Sequence, residues 1–255
     1  MGSEAFVDSR LRLQWAKEGF DDLERCARIY FRRTTCSHFV ELDSDGLHEH
    51  HKLRFGRPVP SALTKHTVRV IEDLRAALDL TAVGVARLAN LPVDQVHFPF
   101  CKTAGDFKAR IGRCCKGFPD EITRLFGSFE PYGSRDNLLF AINELCNASK
   151  HRLVVPVASA VDGNLPHIES IGGTQPILIN GGGLFDREKN EITYATTERG
   201  LQWKYHAEFV LGIAFGDVEP LKGYAALPNL NGMIRAVATI VDETEAESRR
   251  LGLLI

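Results

Sequence analysis

Apolar residues between positions 8 and 31 recur at helical spacing, with Leu11, Trp15, Leu23, Ala27 and Tyr30 set among Arg, Lys, Asp and Glu. The pattern predicts an amphipathic helix. A hairpin is expected over residues 36–56, where the β-prone Phe39-Val40-Glu41-Leu42 meets the turn Asp43-Ser44-Asp45-Gly46 and an alternating return from Leu47 to Phe55. After the breaker Arg57-Pro58-Val59-Pro60, Ser61 is placed to cap a long helix over residues 61–89, with Val70, Ile71, Leu74, Leu78, Val85 and Leu88 along one face. An extended stretch, Val96-His97-Phe98-Pro99-Phe100, precedes shorter helices over residues 104–115 and 119–126. A helix opened by Ser134 and ending near Lys150 carries the apolar stripe Leu138, Ile142 and Leu145. Its opposite face presents Asn143, Asn147 and Lys150 at i, i+4, i+7.

Beyond Arg152 the period changes from 3.6 to 2. Leu153 to Val157 is strand-like, and Trp203, Tyr205, Phe209, Leu211, Ile213 and Phe215 fall on one face of a single long strand. A last helix carries Met233, Ile234, Val237, Ile240 and Val241. The expected class is α+β: a helical core with an inserted hairpin, then an antiparallel sheet and a terminal helix. Without a flexible linker the chain reads as one unit, its residues 1–152 mainly helical and 153–255 mainly strand with the closing helix.

Composition narrows the function classes little. The 255 residues are 44% hydrophobic and 25% charged with a formal charge of −2, so no global basic field points to nucleic acid or a membrane surface. Six cysteines, Cys26, Cys36, Cys101, Cys114, Cys115 and Cys146, include no CxxC pair. A chain of this size needs no staples, so thiols are expected and a structural metal is not. The start, Met1-Gly2-Ser3-Glu4-Ala5, lacks a signal-peptide pattern, and Phe6 breaks a myristoylation motif. No apolar run approaches a spanning helix, so the expectation is cytoplasmic, with no membrane partner and no cofactor.

Several constellations have ordinary structural readings. The triplet Gly181-Gly182-Gly183 lacks a following Lys-Ser/Thr and is expected to form a hairpin turn. In His48-Glu49-His50-His51, strand alternation brings only His48 and His50 to one face, which reads as a solvated hairpin edge. No Gly-x-Ser-x-Gly elbow is present. Arg75 with Asp79, and Arg69 with Asp73, are i, i+4 pairs that helix surfaces commonly carry. Lys150, His151 and Arg152 suit the negative end of a helix dipole. That role leaves open why Asn143 and Asn147, poor helix formers, sit one turn apart beside the lysine.

These segments together resemble a group of uncharacterised bacterial proteins. That group has an Asn-Leu-Arg-Ser-Ala-Leu-Asp-His helix, a Phe-Pro segment, a Gln-Pro-Tyr loop and an Asn-x-x-Lys-His-Arg helix end. Here Arg75-Ala76-Ala77-Leu78-Asp79, Phe98-Pro99, Pro131-Tyr132 and Asn143 to Arg152 follow in the same order over roughly residues 8–155. The Arg-x-x-x-x-His element of the group is in turn similar to the helical HEPN domains, which implies RNA cleavage or nucleotide binding by an arginine and a histidine on one helix face. This chain departs from the pattern at Leu80, where the histidine belongs, at Glu72 and at Asp73. Leucine transfers no proton.

The leading expectation is therefore a binding or regulatory module with an anion-binding cleft for RNA or a nucleotide. Arg75 and Asp79 would position, Asn143 and Asn147 would hydrogen-bond, and Lys150, His151 and Arg152 would contact the anion. The opposing class is a HEPN-like, metal-independent ribonuclease with His151 as its general acid/base. The third is a structural protein using the carboxy-terminal sheet to bind a partner, a second copy of the chain included.

Overall fold

The computed structural model describes residues 4–133, 137–149, 156–162, 167–170, 177–178, 184–186, 188–200, 203–206, 210–216 and 219–254. The α+β class holds: six α-helices and nine short strands occur among the described residues. Two compact units are assembled from interleaved stretches, Met1–Asp22 with His66–Leu153 and Pro228–Ile255 in one, and Leu23–Lys65 with Val154–Leu227 in the other. The change of period near residue 152 marks a change of element type. The hairpin and the later strands lie in one unit, and most of the closing helix lies in the other.

The helical unit is built from parts of α1 (Glu4–Arg33), α2 (Ser61–Leu88) and α6 (Ala226–Arg250), with α3 (Phe107–Cys114), α4 (Asp120–Ser128) and α5 (Leu138–Ser149) complete within it. Its core takes most of the apolar stripes read from the sequence: Ile71, Leu74, Leu78, Val85, Ile142, Leu145, Met233 and Val237 are fully buried, while on α1 Phe6 is buried and the expected Leu11 is instead exposed. At Gly84 the backbone of α1 comes so close that a Cβ would lie 2.6 Å from the carbonyl oxygen of Ala5, so only glycine fits. The α2 helix stops where Asn90 takes the left-handed conformation at φ 55°. The Leu91 amide then donates to the Ala86 carbonyl at 2.9 Å, a Schellman-type closure. Asp73, buried on α2, is matched by Arg12 of α1 at 2.8 Å. A buried carboxylate without such a cation would be costly.

The N-terminal signal of α5 differs from the expected Ser134, which lies outside the described residues. Asn137 is the cap: its Oδ1 accepts from the amides of Leu139 and Phe140 at 2.9 and 3.2 Å. Its Nδ2 donates to the Glu130 carbonyl at 2.6 Å, which ties the preceding loop to the helix start. An asparagine cap is as good as serine, so residue type alone does not favour Ser134 over Asn137.

The other unit centres on an antiparallel sheet in the order β1 (Cys36–Leu42), β2 (His48–Phe55), β7 (Glu191–Glu198) and β5 (Ile177–Leu178), with β6 (Leu184–Asp186) also paired to β7. Tyr30, Phe55 and Ile192 form one buried cluster, and Leu53, Tyr194 and Ala195 another. The hairpin appears as expected, but the histidine-bearing strand is not an edge. β2 lies between β1 and β7, and residues 191–198 supply the neighbour that local sequence could not reveal.

Two further expectations fall partly outside the described residues. β8 (Trp203–His206) pairs antiparallel with β4 (His167–Ser170), and β9 (Val210–Phe215) with β3 (Pro156–Asp162); the residues that would join β8 to β9 in the expected single long strand, 207–209, lie outside the described residues. The glycine triplet lies outside the described residues, but β5 and β6 on either side both run antiparallel to β7 and follow each other along it. They are not two arms of a hairpin. The turn into β7 comes later, where Asp186 Oδ1 accepts from the amides of Glu188 and Lys189 at 2.9 and 3.0 Å.

All six cysteines are thiols. Among the described residues no helix is long and apolar enough to cross a membrane.

Candidate anion-binding groove

Four sequence segments converge in the helical unit, and hydrogen bonds show how. Asp79 on α2 uses one carboxylate oxygen twice, accepting from Arg75 Nη1 at 2.9 Å and from the backbone amide of Phe98 at 2.9 Å. The Arg75 guanidinium then lies 4.4 Å from the centre of the Phe100 ring. Helix α2 thus grips the Phe98-Pro99-Phe100 segment by a backbone hydrogen bond and a cation–π contact. The next residue continues the chain of support: the Cys101 amide donates to the Pro131 carbonyl, and the Gly133 amide to the Lys102 carbonyl, each at 3.1 Å. Behind the segment, Phe98 is fully buried against Phe126, ring centres 4.9 Å apart.

In front of it is a groove of about 360 Å³ between the Phe100–Lys102 segment, α3 and α5. Helix periodicity decides which side chains reach it. Asp106, Arg110 and Arg113 come from one face of the α3 region, and Phe140, Asn143, Glu144 and Asn147 from one face of α5. Phe100, Cys101, Lys102 and Ala109 complete the lining.

The charges of this lining are unevenly satisfied. The Asp106 carboxylate accepts from Thr103 Oγ1 at 2.7 Å, and Glu144 accepts from Asn143 Nδ2 at 3.1 Å. Among the described residues, no hydrogen bond or ion pair holds the side chains of Lys102, Arg110 or Arg113, and Arg110 Nε is buried without a partner. A buried guanidinium N–H without an acceptor costs roughly 1–3 kcal/mol, whereas the exposed Lys102 and Arg113 side chains lie on the lining without a described partner. With Phe100 and Phe140 contributing to the lining from two different elements, the groove can hold an anionic group beside a planar apolar one.

Burial pushes the Asp79 carboxyl above its ordinary range, against the pull of Arg75 and the Phe98 amide. Nearby His97 is pushed down by burial and by the charges of Arg110 and Arg75, which favours the neutral ring. Cys114 and Cys115, both buried, have sulfurs 3.8 Å apart. Their mutual hydrogen bond and burial push the Cys115 thiol strongly up, so it stays protonated.

The structure divides the expected site residues into three groups. Asn143 and Asn147 line the groove. Arg75 and Asp79 do not line it; they stand behind the Phe100 ring and fix the wall. Lys150, His151 and Arg152 lie outside the described residues. Sequence reasoning missed Lys102, Arg110, Arg113 and the two phenylalanines. The i, i+3 spacing of Arg110 and Arg113 in a correctly expected helix was the available signal, and it names no partner until the facing helix is known.

Comparison with protein-family models, with curated proteins and with solved structures finds no match for this chain.

Proposed function

We propose that the helical unit is a binding module for a phosphate-bearing ligand, RNA or a nucleotide, held in the groove between α3 and α5. The observation that supports it most is the set of Lys102, Arg110 and Arg113, without described partners, around a groove walled by Phe100 and Phe140. The cations take phosphate oxygens, a base lies against a ring, and Asn143 and Asn147 donate or accept at the polar edge. Phe100 is held for this by Arg75, and the segment that carries it by Asp79.

Fluorescence anisotropy with a labelled short single-stranded RNA, and competition by a nucleoside triphosphate, tests the reading. Three phosphate contacts predict that log K falls with log salt at a slope of about −2. Arg113→Ala lowers the slope by about 0.7 and weakens binding about tenfold. Absence of binding, or binding indifferent to Arg110→Met and Arg113→Ala, overturns it. Recovery of cut RNA that depends on His151 would replace a binding module with a ribonuclease.

A further inference from the structure

We propose that Asp43, Asp45, His48 and His50, at the β1–β2 turn, form a binding site for a first-row divalent transition-metal ion of the zinc type. Zinc accepts histidine nitrogen and carboxylate oxygen at about 2.0–2.2 Å, so neighbouring ligand atoms stand about 3.3 Å apart in a tetrahedral site. His50 Nε2 is 3.5 Å from Asp43 Oδ2, already at that spacing. His48 Nδ1 is 2.5 Å from Asp45 Oδ2, and ligand atoms of Asp43, Asp45 and His48 all lie within 4.8 Å of one another.

The set is more than a group of surface acids, because each half has a built nitrogen ligand. Strand alternation brings His48 and His50 to the same face of β2, as the sequence indicated, while His51 is buried on the other. Two nitrogens alone are too few. The turn returns two carboxylates over that face, which strand periodicity could not show. His50 is oriented from outside the cluster: its Nδ1 meets Thr196 Oγ1 of β7 at 2.9 Å, which leaves Nε2 for the ligand position. Such a hydrogen bond to the second ring nitrogen is how metal-binding histidines are held. Glu198, opposite His48 in the register with β7, adds negative charge on the same side. Imidazole with carboxylate suits zinc, cobalt(II), nickel(II) and copper(II), whereas magnesium and calcium prefer oxygen alone. The site is independent of the groove.

Calorimetric titration of the chelator-treated full chain with zinc, paired with the visible spectrum of its cobalt(II) form, tests it. One ion per chain is expected, with intense tetrahedral cobalt bands. His48→Ala and Asp45→Asn each weaken binding at least 100-fold, Thr196→Val weakens it about tenfold through His50, and Glu49→Gln leaves it unchanged. Zinc-induced NMR shifts confined to the His48 and His50 rings of the unmodified protein keep the test valid if a variant fails to fold. No zinc binding, binding unchanged by both ligand substitutions, shifts at other histidines, or displacement of zinc by equimolar magnesium or calcium would each overturn the assignment.

Discussion

The groove of the helical unit and the turn of the sheet unit both gather charged side chains, yet they handle charge in opposite ways. Around the groove, Lys102, Arg110 and Arg113 have no described partner, while Asp106 and Glu144 are occupied by Thr103 and Asn143. At the turn, the carboxylates of Asp43 and Asp45 each face a histidine nitrogen. Unmatched like charges create a field that draws an anion and gains by its arrival. Matched acid and imidazole groups are held together by a proton, and a cation of suitable size can take that proton's place. Counting charges would not separate the two sites, since the whole chain carries only −2. Pairing does.

The sharpest way to break this comparison is to reverse charge at one site and read both. Arg110→Glu puts a carboxylate against the incoming phosphate; RNA binding should fall at least 100-fold in anisotropy, while zinc titration of the same protein is unchanged. Asp45→Asn should do the converse. Loss of both properties in either variant would mean that the two features are not separate sites.

The next effect is on the wall of the groove. Asp79→Ala removes the acceptor of the Phe98 amide and the partner of Arg75 together. The expected cost is about 2 kcal/mol in urea unfolding, with weaker RNA binding because Phe100 loses its anchored segment. Asp79→Asn keeps a carbonyl oxygen for the Phe98 amide and should cost less than half as much. Equal costs for the two would show that the charge, not the backbone contact, holds the segment.

Asn147→Ala separates binding from stability. Asn147 is exposed on α5 and lines the groove. Alanine is the better helix former by about half a kcal/mol, so the melting temperature should hold or rise slightly. RNA affinity should drop about tenfold. A variant that loses stability instead would make the asparagine a structural residue and remove it from the ligand.

How much of this was legible in the chain follows the range of the interactions. The stripes Val70-Ile71-Leu74-Leu78 and Met233-Val237-Ile240 named their helices and their buried faces, because helical periodicity is set within a few residues. Asn143 and Asn147 stood out for a related reason, as two poor helix formers one turn apart, and both line the groove. Pairings between distant segments were not legible. β2 looked like an edge because its neighbour β7 lies some 140 positions away, and Asp79 looked like a surface ion-pair partner because its second donor, the Phe98 amide, carries no side-chain signature. The Asp-Ser-Asp-Gly turn was recognised as a turn, but that its carboxylates fold back over His48 and His50 depends on geometry that residue identity does not specify.

The smallest expected effect distinguishes the histidines by pH. In metal-free protein, hydrogen bonding and charge attraction from Asp45, reinforced by Asp43 and Glu198, push His48 above its ordinary 6.5, while the Leu47 amide and His48 hold the Asp45 carboxyl below its ordinary 3.8. The sign follows for each partner. His48, raised, contributes stability that is complete below about 6.5 and is lost as pH rises through its folded value; Asp45, depressed, contributes stability present above about 3.8 and lost as pH falls through its folded value. The pair therefore helps most between mildly acidic and neutral pH, and both groups are exposed, so the effect on unfolding should be slight. His51 behaves oppositely: burial pushes it below 6.5, as does the charge of His38. The unfolded chain then takes up the proton first, so His51 subtracts stability as pH falls below about 6.5. Ring-proton NMR titration should show His48 protonating at the highest pH of the two, with His51 shifting only at lower pH. His48→Ala should leave the His51 titration in place. If the two rings titrate together near 6.5, the close pairing of His48 with Asp45 does not exist in solution, and the contrast between a matched turn and an unmatched groove loses its first half.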